Sequence, residues 1–283
     1  MNKLREISAD KITQAVKLLS MKANYNLPED ILENLINKTE SEKSLLGKQI
    51  LKDIVKNANI AREEQMPICQ DTGIAVVFVD IGQEVCIKEG SLEKAINDGV
   101  RLGYEEGYLR MSVVNDPIIR VNTGDNTPAV IHYKISEGDK IKITVMPKGA
   151  GSENTSALKM LKPSDGFDGI KSFVIETVEK AGPNACPPLI VGVGIGGNFE
   201  VAPYLSKKAL LKSIGERNPN KEIAEFELIL LDDINKLGIG PQGLGGTTTA
   251  LDVHIETYPT HIASLPVAVN LGCHVTRHAT IEI

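Results

Sequence analysis

Cysteines are the residues of this 283-residue chain with the clearest potential for chemistry, and they stand at positions 69, 86, 186 and 273. They form no C-x-x-C pair, which argues against a zinc ribbon or a thioredoxin-type redox site. Cys273 follows a predicted strand beside Gly272, a residue that lets the backbone come close to a bound group. Cys69 and Cys186 are also predicted in loops. Cys86 lies in a short apolar strand and is typical of a packed small side chain.

The three loop cysteines, Cys69, Cys186 and Cys273, are separated by 117 and 87 residues. They could be packed thiols or shared metal ligands, and their spacing alone leaves both uses open. Iron–sulfur clusters normally take four cysteines, so three would leave one iron open to water or substrate. Such an iron is a Lewis acid that can hold a hydroxyl and a neighbouring carboxylate. A site of this kind suits the addition or removal of water rather than electron transfer.

Two glycine-rich segments could approach a ligand with their backbones. Gly149, Ala150 and Gly151 precede residues 155–161, which we predict to be helical, so their N–H groups could meet a substrate carboxylate. A loop that only turns the chain explains them equally well. Residues 192–197 satisfy G-x-G-x-x-G after a strand, but a dinucleotide fold needs an acidic residue about twenty positions on, at the end of a second strand. Glu216 has that count but lies in a predicted helix and turn. We therefore expect a tight approach to some other bound group.

The elements that must position these loops predict an α+β fold, with a helical N-terminal part followed by small mixed β-sheets flanked by helices. Ser8 is placed to cap the first helix, Pro28 precedes the second, and Thr39 and Glu42 have capping-box spacing before the third. We expect one catalytic domain over residues 1–283, with a helical lead-in at 1–60 and an α+β body at 61–283. Its cysteine loops are expected to converge at one end.

A polar strand face is expected near the C-terminus. In residues 247–256 apolar and polar side chains alternate, so Leu251, Val253 and Ile255 should face the core while Asp252 and His254 face elsewhere.

Composition excludes several classes of partner. The net charge is −6, there is no Trp, and no basic patch is interleaved with aromatic residues, so nucleic acid is not expected. The N-terminus has no apolar signal core, and no apolar run reaches membrane length. We therefore expect a cytoplasmic protein without a membrane segment.

Several segments together resemble the class I fumarate hydratases. They are residues 68–73, 122–129, 148–154, 186–188 with 192–198, and 243–274. The similarity is to the N-terminal half of that family, which is the alpha subunit in two-subunit members and is shared with L(+)-tartrate dehydratase. It covers nearly all of the chain from about residue 10, with the motifs in order.

The resemblance implies an oxygen-sensitive hydro-lyase with a [4Fe–4S] cluster held by Cys69, Cys186 and Cys273. The fourth iron would bind the substrate hydroxyl and carboxylate, and Cys86 would have no counterpart role. The implied reaction is the reversible hydration of fumarate to (S)-malate, with L(+)-tartrate dehydration as the alternative.

By the same resemblance, a set of polar and glycine-rich positions lines the substrate pocket. Asp71 and His261 are the implied catalytic residues, and Asp71 is close to the proton transfer. The implied substrate-binding residues are Gln70, Arg110, Gly149, Ala150 and Gly151. These types fit a dicarboxylate, which needs a fork-shaped cation, backbone donors and an imidazole. Arg120 is an alternative to Arg110, and His254, His274 and His278 are expected to be structural.

The resemblance also implies partners. The remaining substrate-binding groups and the presumed base lie in the second half of such enzymes, so a beta subunit is expected. We further expect an alpha–alpha homodimer within a heterotetramer. Two rival hypotheses are a nicotinamide-dependent oxidoreductase, based on residues 192–197, and a non-enzymatic metal or interaction module.

Overall fold

The computed structural model describes residues 4–283 as two compact units. The first unit contains the described chain up to Pro28, together with Ala58–Gly149 and Arg277–Ile283. The second contains Glu29–Asn57 and Ala150–Thr276. The expectation of one catalytic domain over residues 1–283 stays a prediction.

Both helices and strands are distributed over the described residues. The α-helices are α1 (Ala9–Tyr25), α2 (Glu29–Ser41), α3 (Leu45–Glu63), α4 (Leu92–Glu106), α5 (Ala150–Glu153), α6 (Gly166–Ala181), α7 (Val201–Ala209) and α8 (Lys221–Lys236). The strands are β1 (Arg5–Ser8), β2 (Ile74–Gly82), β3 (Val85–Lys88), β4 (Val130–Ser136), β5 (Ile141–Lys148), β6 (Ala157–Leu161), β7 (Leu189–Gly197), β8 (Ala250–Thr260), β9 (Leu265–Gly272) and β10 (Ala279–Glu282).

The first unit packs α1 and α4 with a four-stranded mixed sheet of order β10-β5-β2-β4. β2 pairs parallel with β4 and antiparallel with β5. Ser8 caps α1 and Ser91 caps α4 through their side-chain oxygens, as residues of this type do. The cap that the sequence predicts at Ser8 is confirmed. The predicted helical lead-in at 1–60 also contains a short strand, β1, which pairs parallel with β3.

The second unit is built on a mixed sheet of order β6-β9-β7-β8. β7 pairs parallel with β8 and antiparallel with β9. Apolar residues of α6 and α8 share a core with Val191 and Val193 of β7. The alternate residues of β7 face α7, so helices cover both faces of this sheet. The predicted α+β class, with small mixed sheets and flanking helices, is confirmed.

The glycines at 192–197 lie within β7 instead of forming a turn. A Cβ added at Gly192 would lie 2.1 Å from the carbonyl oxygen of Ser206, and one added at Gly194 would lie 2.1 Å from that of Ala202. The glycines therefore allow α7 to approach the strand closely, and the expected approach to a bound group at Gly192 and Gly194 is wrong. The strand–turn–helix geometry of a dinucleotide site is not formed by these residues.

Two local predictions of helices are also wrong. Thr39 lies inside α2, and Glu42 does not begin the next helix, which starts at Leu45. Residues 155–161 do not form a helix, because α5 ends at Glu153 and residues 157–161 form β6, which pairs antiparallel with β9. Pairing with a strand more than a hundred residues away outweighs the local preference.

The polar side chains Asp252 and His254 of β8 lie outside the apolar core that contains Val253 and Ile255, and they are nevertheless buried. Asp252 is 1% exposed and His254 is fully buried. His254 Nε2 lies 3.1 Å from Asp252 Oδ2, and Arg217 forms an ion pair with the same carboxylate. Burial alone would raise the pKa of Asp252, but the hydrogen bonds from His254 and Arg217 hold it well below its ordinary range. Asp252 and His254 Nε2 are thus paired with side chains instead of solvent, whereas His254 Nδ1 is buried with no hydrogen-bond partner among residues 4–283.

Among the residues that the structure describes, none of the helices combines the length and apolarity needed to cross a membrane.

Candidate functional site

Cys186 and Cys273 lie at the same end of the sheet in the second unit. Cys186 follows the 3-10 turn Gly182–Ala185 and precedes β7, while Cys273 directly follows β9. Because Ile190 pairs with Gly272, the start of β7 and the end of β9 are neighbours. The backbone N–H of His274 donates to the carbonyl oxygen of Cys186 at 3.1 Å. Two of the three predicted ligand loops are thus joined directly.

Residues 238–246, before β8, form a further glycine-rich segment, and Gln242 within it is hydrogen-bonded to both cysteine loops. Its backbone N–H and its Nε2 each donate to the carbonyl oxygen of Pro187 at 2.8 Å. Its Nε2 also lies 3.0 Å from His274 Nδ1. Gln242 and Cys186 both have left-handed backbones, with φ of 53° and 54°. Such conformations cost on the order of 1 kcal/mol each for residues other than glycine, and they are often found at functional sites.

Glu42 holds the glycine-rich segment from the turn between α2 and α3. Its carboxylate accepts from the backbone N–H of Ser44 at 2.9 Å and from the backbone N–H of Thr247 at 2.8 Å. Burial would raise the pKa of Glu42, but these backbone hydrogen bonds and those from the hydroxyls of Thr248 and Thr247 outweigh it. The pKa is lowered from 4.5 to about 2. Glu42 is therefore ionised near neutral pH and acts as a fixed anchor.

Cys69 lies in the first unit, on a loop that the rest of that unit fixes in place. Ile68 N–H donates to the carbonyl oxygen of Asn24 at 2.9 Å. Arg277 is 3% exposed, and its Nη2 donates to the carbonyl oxygen of Asp71 at 2.7 Å. The same guanidinium donates through Nε to Asn24 Oδ1 at 3.2 Å. The backbone around Cys69 and Asp71 is thus bonded to the interior on both sides.

Asp71, Arg110 and Gly149 also meet in the first unit. Asp71 Oδ1 accepts from the N–H of Gly73 at 2.9 Å, which fixes the carboxylate plane. A Cβ added at Gly149 would lie 2.9 Å from Asp71 Oδ2, so only glycine leaves this oxygen its room. The backbone N–H of Arg110 donates to the hydroxyl of Thr72, next to Asp71, at 2.9 Å.

The side chain of Arg110 is exposed, and its guanidinium has no hydrogen-bond or ion-pair partner among residues 4–283. Arg120 differs, because its Nη1 donates within its own turn to the carbonyl oxygen of Pro117. The geometry therefore favours Arg110 over Arg120 as the cation available beside Asp71. Gln70 is exposed on the same loop.

Gly151 belongs to the second unit and lies against the Cys186 loop. A Cβ added there would lie 3.2 Å from the carbonyl oxygen of Asn184, two residues before Cys186. Ala150 is exposed at the start of α5. The helix expected at residues 155–161 is absent, and α5 has only four residues, so its dipole provides little support for an anion.

His261 lies at the other end of the sheet from Cys186 and Cys273. It stands in the short turn between β8 and β9, and Gly197 at the end of β7 pairs with Thr260. The eight residues of β9 separate His261 from Cys273, a span of about 25 Å. His261 is exposed, and its Nδ1 accepts from the N–H of Ala263 at 3.1 Å. The second unit therefore does not bring His261 to Cys186 and Cys273 of the same chain.

All four cysteines are half-buried. Cys86 lies in β3, as the sequence predicts for a packed side chain. No three His, Cys, Asp or Glu side chains of the described chain are grouped as they would be around a metal ion.

Sequence reasoning missed three residues that shape these loops, namely Glu42, Gln242 and Arg277. Gln242 and Arg277 flank the 243–274 block, and that position was the signal that could have found them.

Comparisons with known proteins give consistent matches. The family described as Fumarate hydratase (Fumerase) matches residues 13–282. A protein of Methanocaldococcus jannaschii with the provisional name L(+)-tartrate dehydratase subunit alpha is 48% identical over 96% of this chain and 98% of its own length. The L(+)-tartrate dehydratase subunit alpha of Escherichia coli K12 is 36% identical over 99% of this chain and 93% of its own. The protein of that name from Shigella sonnei matches to the same extent.

Proposed function

Because this chain belongs to the fumarate hydratase (Fumerase) family, we propose that it is the alpha subunit of a hydro-lyase that interconverts fumarate and (S)-malate. The match of the family over residues 13–282 is the observation that carries the reaction class. The joined loops of Cys186 and Cys273, and the fixed Asp71 beside Gly149, support a reaction centre of this kind.

The cofactor we propose is a [4Fe–4S] cluster held by Cys69, Cys186 and Cys273. The donor set fits such a group, since all three thiols are half-buried and placed on loops. Cys186 and Cys273 are moreover on hydrogen-bonded loops. When bound, the cluster would supply a Lewis-acidic iron for the substrate hydroxyl and carboxylate.

Asp71 is the residue of this chain that we assign to proton transfer. Its carboxylate plane is fixed by the Gly73 N–H, and its backbone by Arg277. A carboxylate held in one orientation can pass on a proton close to the reacting atoms without reorganisation, while the presumed base is left to the partner subunit. Gly149 keeps the space beside Oδ2 open for that exchange.

Substrate binding is proposed for Arg110, Gln70 and the segment from Gly149 to Gly151. The exposed guanidinium of Arg110 can form two parallel hydrogen bonds to one carboxylate. The backbone N–H of Arg110 donates to the hydroxyl of Thr72, so the side chain extends from a backbone position that is held next to the Asp71 loop. The amide of Gln70 and the backbone N–H groups near Gly149 and Gly151 are donors of the kind that a second carboxylate needs.

A second copy of the chain is proposed to provide His261. Within one chain, β9 separates this imidazole from Cys273, and the turn that carries it is exposed. If His261 acts in the reaction, it acts on the cysteine site of another subunit. This geometry supports the alpha–alpha homodimer within a heterotetramer.

A beta subunit is proposed as the other partner. The relatives named above are called subunit alpha, and this chain matches 93% to 98% of their lengths. A separate polypeptide would then supply the remaining substrate contacts and the presumed base.

L(+)-tartrate is the second candidate substrate, because the curated relatives named above carry that name. Tartrate dehydration and malate dehydration both remove water next to a carboxylate. The same residues of this chain could serve either, so the choice is proposed to depend on the partner.

The test is an anaerobic assay of the chain reconstituted with iron, sulfide and its beta subunit. We expect hydration of fumarate, dehydration of L(+)-tartrate, or both, only when the two subunits are combined. Ser variants of Cys69, Cys186 and Cys273 should lose bound iron, whereas Cys86→Ser is the matched control and should keep it. Full activity of the lone chain, or iron retained by the Cys186→Ser variant, would contradict the proposal.

A further inference from the structure

The carbonyl oxygens of Cys186 and Pro187 accept hydrogen bonds from three donors that lie far away in the sequence. Cys186 O accepts from the backbone N–H of His274, and Pro187 O accepts twice from Gln242. Gln242 Nε2 and Cys186 O each lie 3.0 Å from His274 Nδ1. The imidazole ring thus lies at the junction of the two cysteine loops.

The chemistry of these groups fixes which atom donates. Pro187 O can only accept, so the Gln242 atom facing it is the donating amide nitrogen. His274 Nδ1 makes one of two hydrogen bonds: when unprotonated it accepts the second hydrogen of that nitrogen, and when protonated it donates to Cys186 O. Cys186 O also accepts from the backbone N–H of His274. In either tautomer the imidazole is hydrogen-bonded to Gln242 or to the Cys186 loop.

We propose that Gln242 and His274 are positioning residues that hold the Cys186 and Cys273 loops together before any cofactor binds. The inference rests on the proposed function for the role of the two thiols, but the hydrogen bonds do not depend on it.

The backbone supports this assignment. Cys186 and Gln242 both have left-handed conformations, which persist only where the surroundings hold them. Both donors on Pro187 O come from Gln242, so one strained residue is bonded to the neighbour of the other. Without the Gln242 and His274 side chains, two of these constraints on the cysteine loops would be lost.

The test compares wild-type chain with His274→Asn, His274→Gln and Gln242→Glu. Asn can place an acceptor near the position of Nδ1, whereas Gln places its polar group near Nε2. Gln242→Glu has the same shape but no Nε2 donor, and it sets a carboxylate against Pro187 O. A merely structural histidine would not distinguish Asn from Gln in this way.

Two measurements on the full chain report the result. After reconstitution with iron and sulfide, we expect a chelator to remove iron at least about tenfold faster from His274→Gln and Gln242→Glu, and within about threefold of wild type from His274→Asn. In the apo chain, amide hydrogen exchange of residues 183–190 and 270–276 should show the same order.

The two readouts separate this inference from the proposed function. If the wild-type chain takes up no iron while the four chains still show that exchange order, the result counts against the cofactor and supports the positioning. Equal exchange in all four chains, or a His274→Asn variant as impaired as His274→Gln, would overturn the positioning whatever the iron content.

Discussion

Replacing Glu42 by Gln should destabilise the second unit in a manner that depends on pH. Glu42 is 1% exposed, and its carboxylate accepts from Ser44 and from both the N–H and the hydroxyl of Thr247. Gln keeps the size but removes the charge and turns an NH2 group towards donors. We therefore expect Glu42→Gln to loosen the glycine-rich segment that contacts the Cys186 loop.

The magnitude follows from the lowered pKa of Glu42. A fall from 4.5 to about 2 corresponds to about 3 kcal/mol, at about 1.4 kcal/mol per pKa unit. Because the folded-state pKa is lowered, the stabilisation is fully present above 4.5 and is lost as the pH falls towards 2. We expect wild type to exceed Glu42→Gln by about 3 kcal/mol at neutral pH and by less than about 1 kcal/mol near the folded-state pKa.

The assay is urea unfolding followed by far-UV circular dichroism, because the chain has no Trp. Glu40→Gln is the matched control, since Glu40 is exposed in the same segment. A difference between wild type and Glu42→Gln that does not change with pH would refute the assignment of the lowered pKa to Glu42. Equal stability of Glu42→Gln and Glu40→Gln at neutral pH would refute the anchor itself.

Four further predictions address other parts of the chain. Arg277→Met should reduce the free energy of unfolding by about 2 kcal/mol and speed hydrogen exchange around Asp71, because a buried charged donor is lost; unchanged exchange there would contradict it. Gly194→Ala should lower the melting temperature, since its Cβ would lie 2.1 Å from Ala202 O. NAD should not change the melting temperature of wild type. An increase with NAD would support the dinucleotide hypothesis. His261→Asn should reduce activity of the assembled enzyme with no change in melting temperature, because His261 is exposed, and full activity would remove it from the reaction.

Local signals predicted most elements of the fold. The apolar periodicity and the Ser8 cap located α1, and a run of β-branched residues located β2. Each of these features depends on residues that are close together in the sequence, so it can be recognised without knowing which elements pack against it. The failures at residues 155–161 and 192–197 occurred where a distant strand or helix determined the conformation.

The candidate site was predicted unevenly for a similar reason. The resemblance named Asp71 and Gly149, and the structure brings them together. It also named His261, which lies at the opposite end of its sheet from Cys273. The order of motifs along the chain does not show that His261 and Cys273 lie at opposite ends of β9.

The sequence by itself determined the family, the α+β class and the loop positions of Cys186 and Cys273, because these are carried by residue types and short-range patterns. Only the tertiary structure revealed that Glu42 binds Thr247, 205 residues away, and that Gln242 joins both cysteine loops. A buried carboxylate or amide needs some partner, but its identity depends on strand register and chain path. Contacts between residues so far apart are decided by the whole fold.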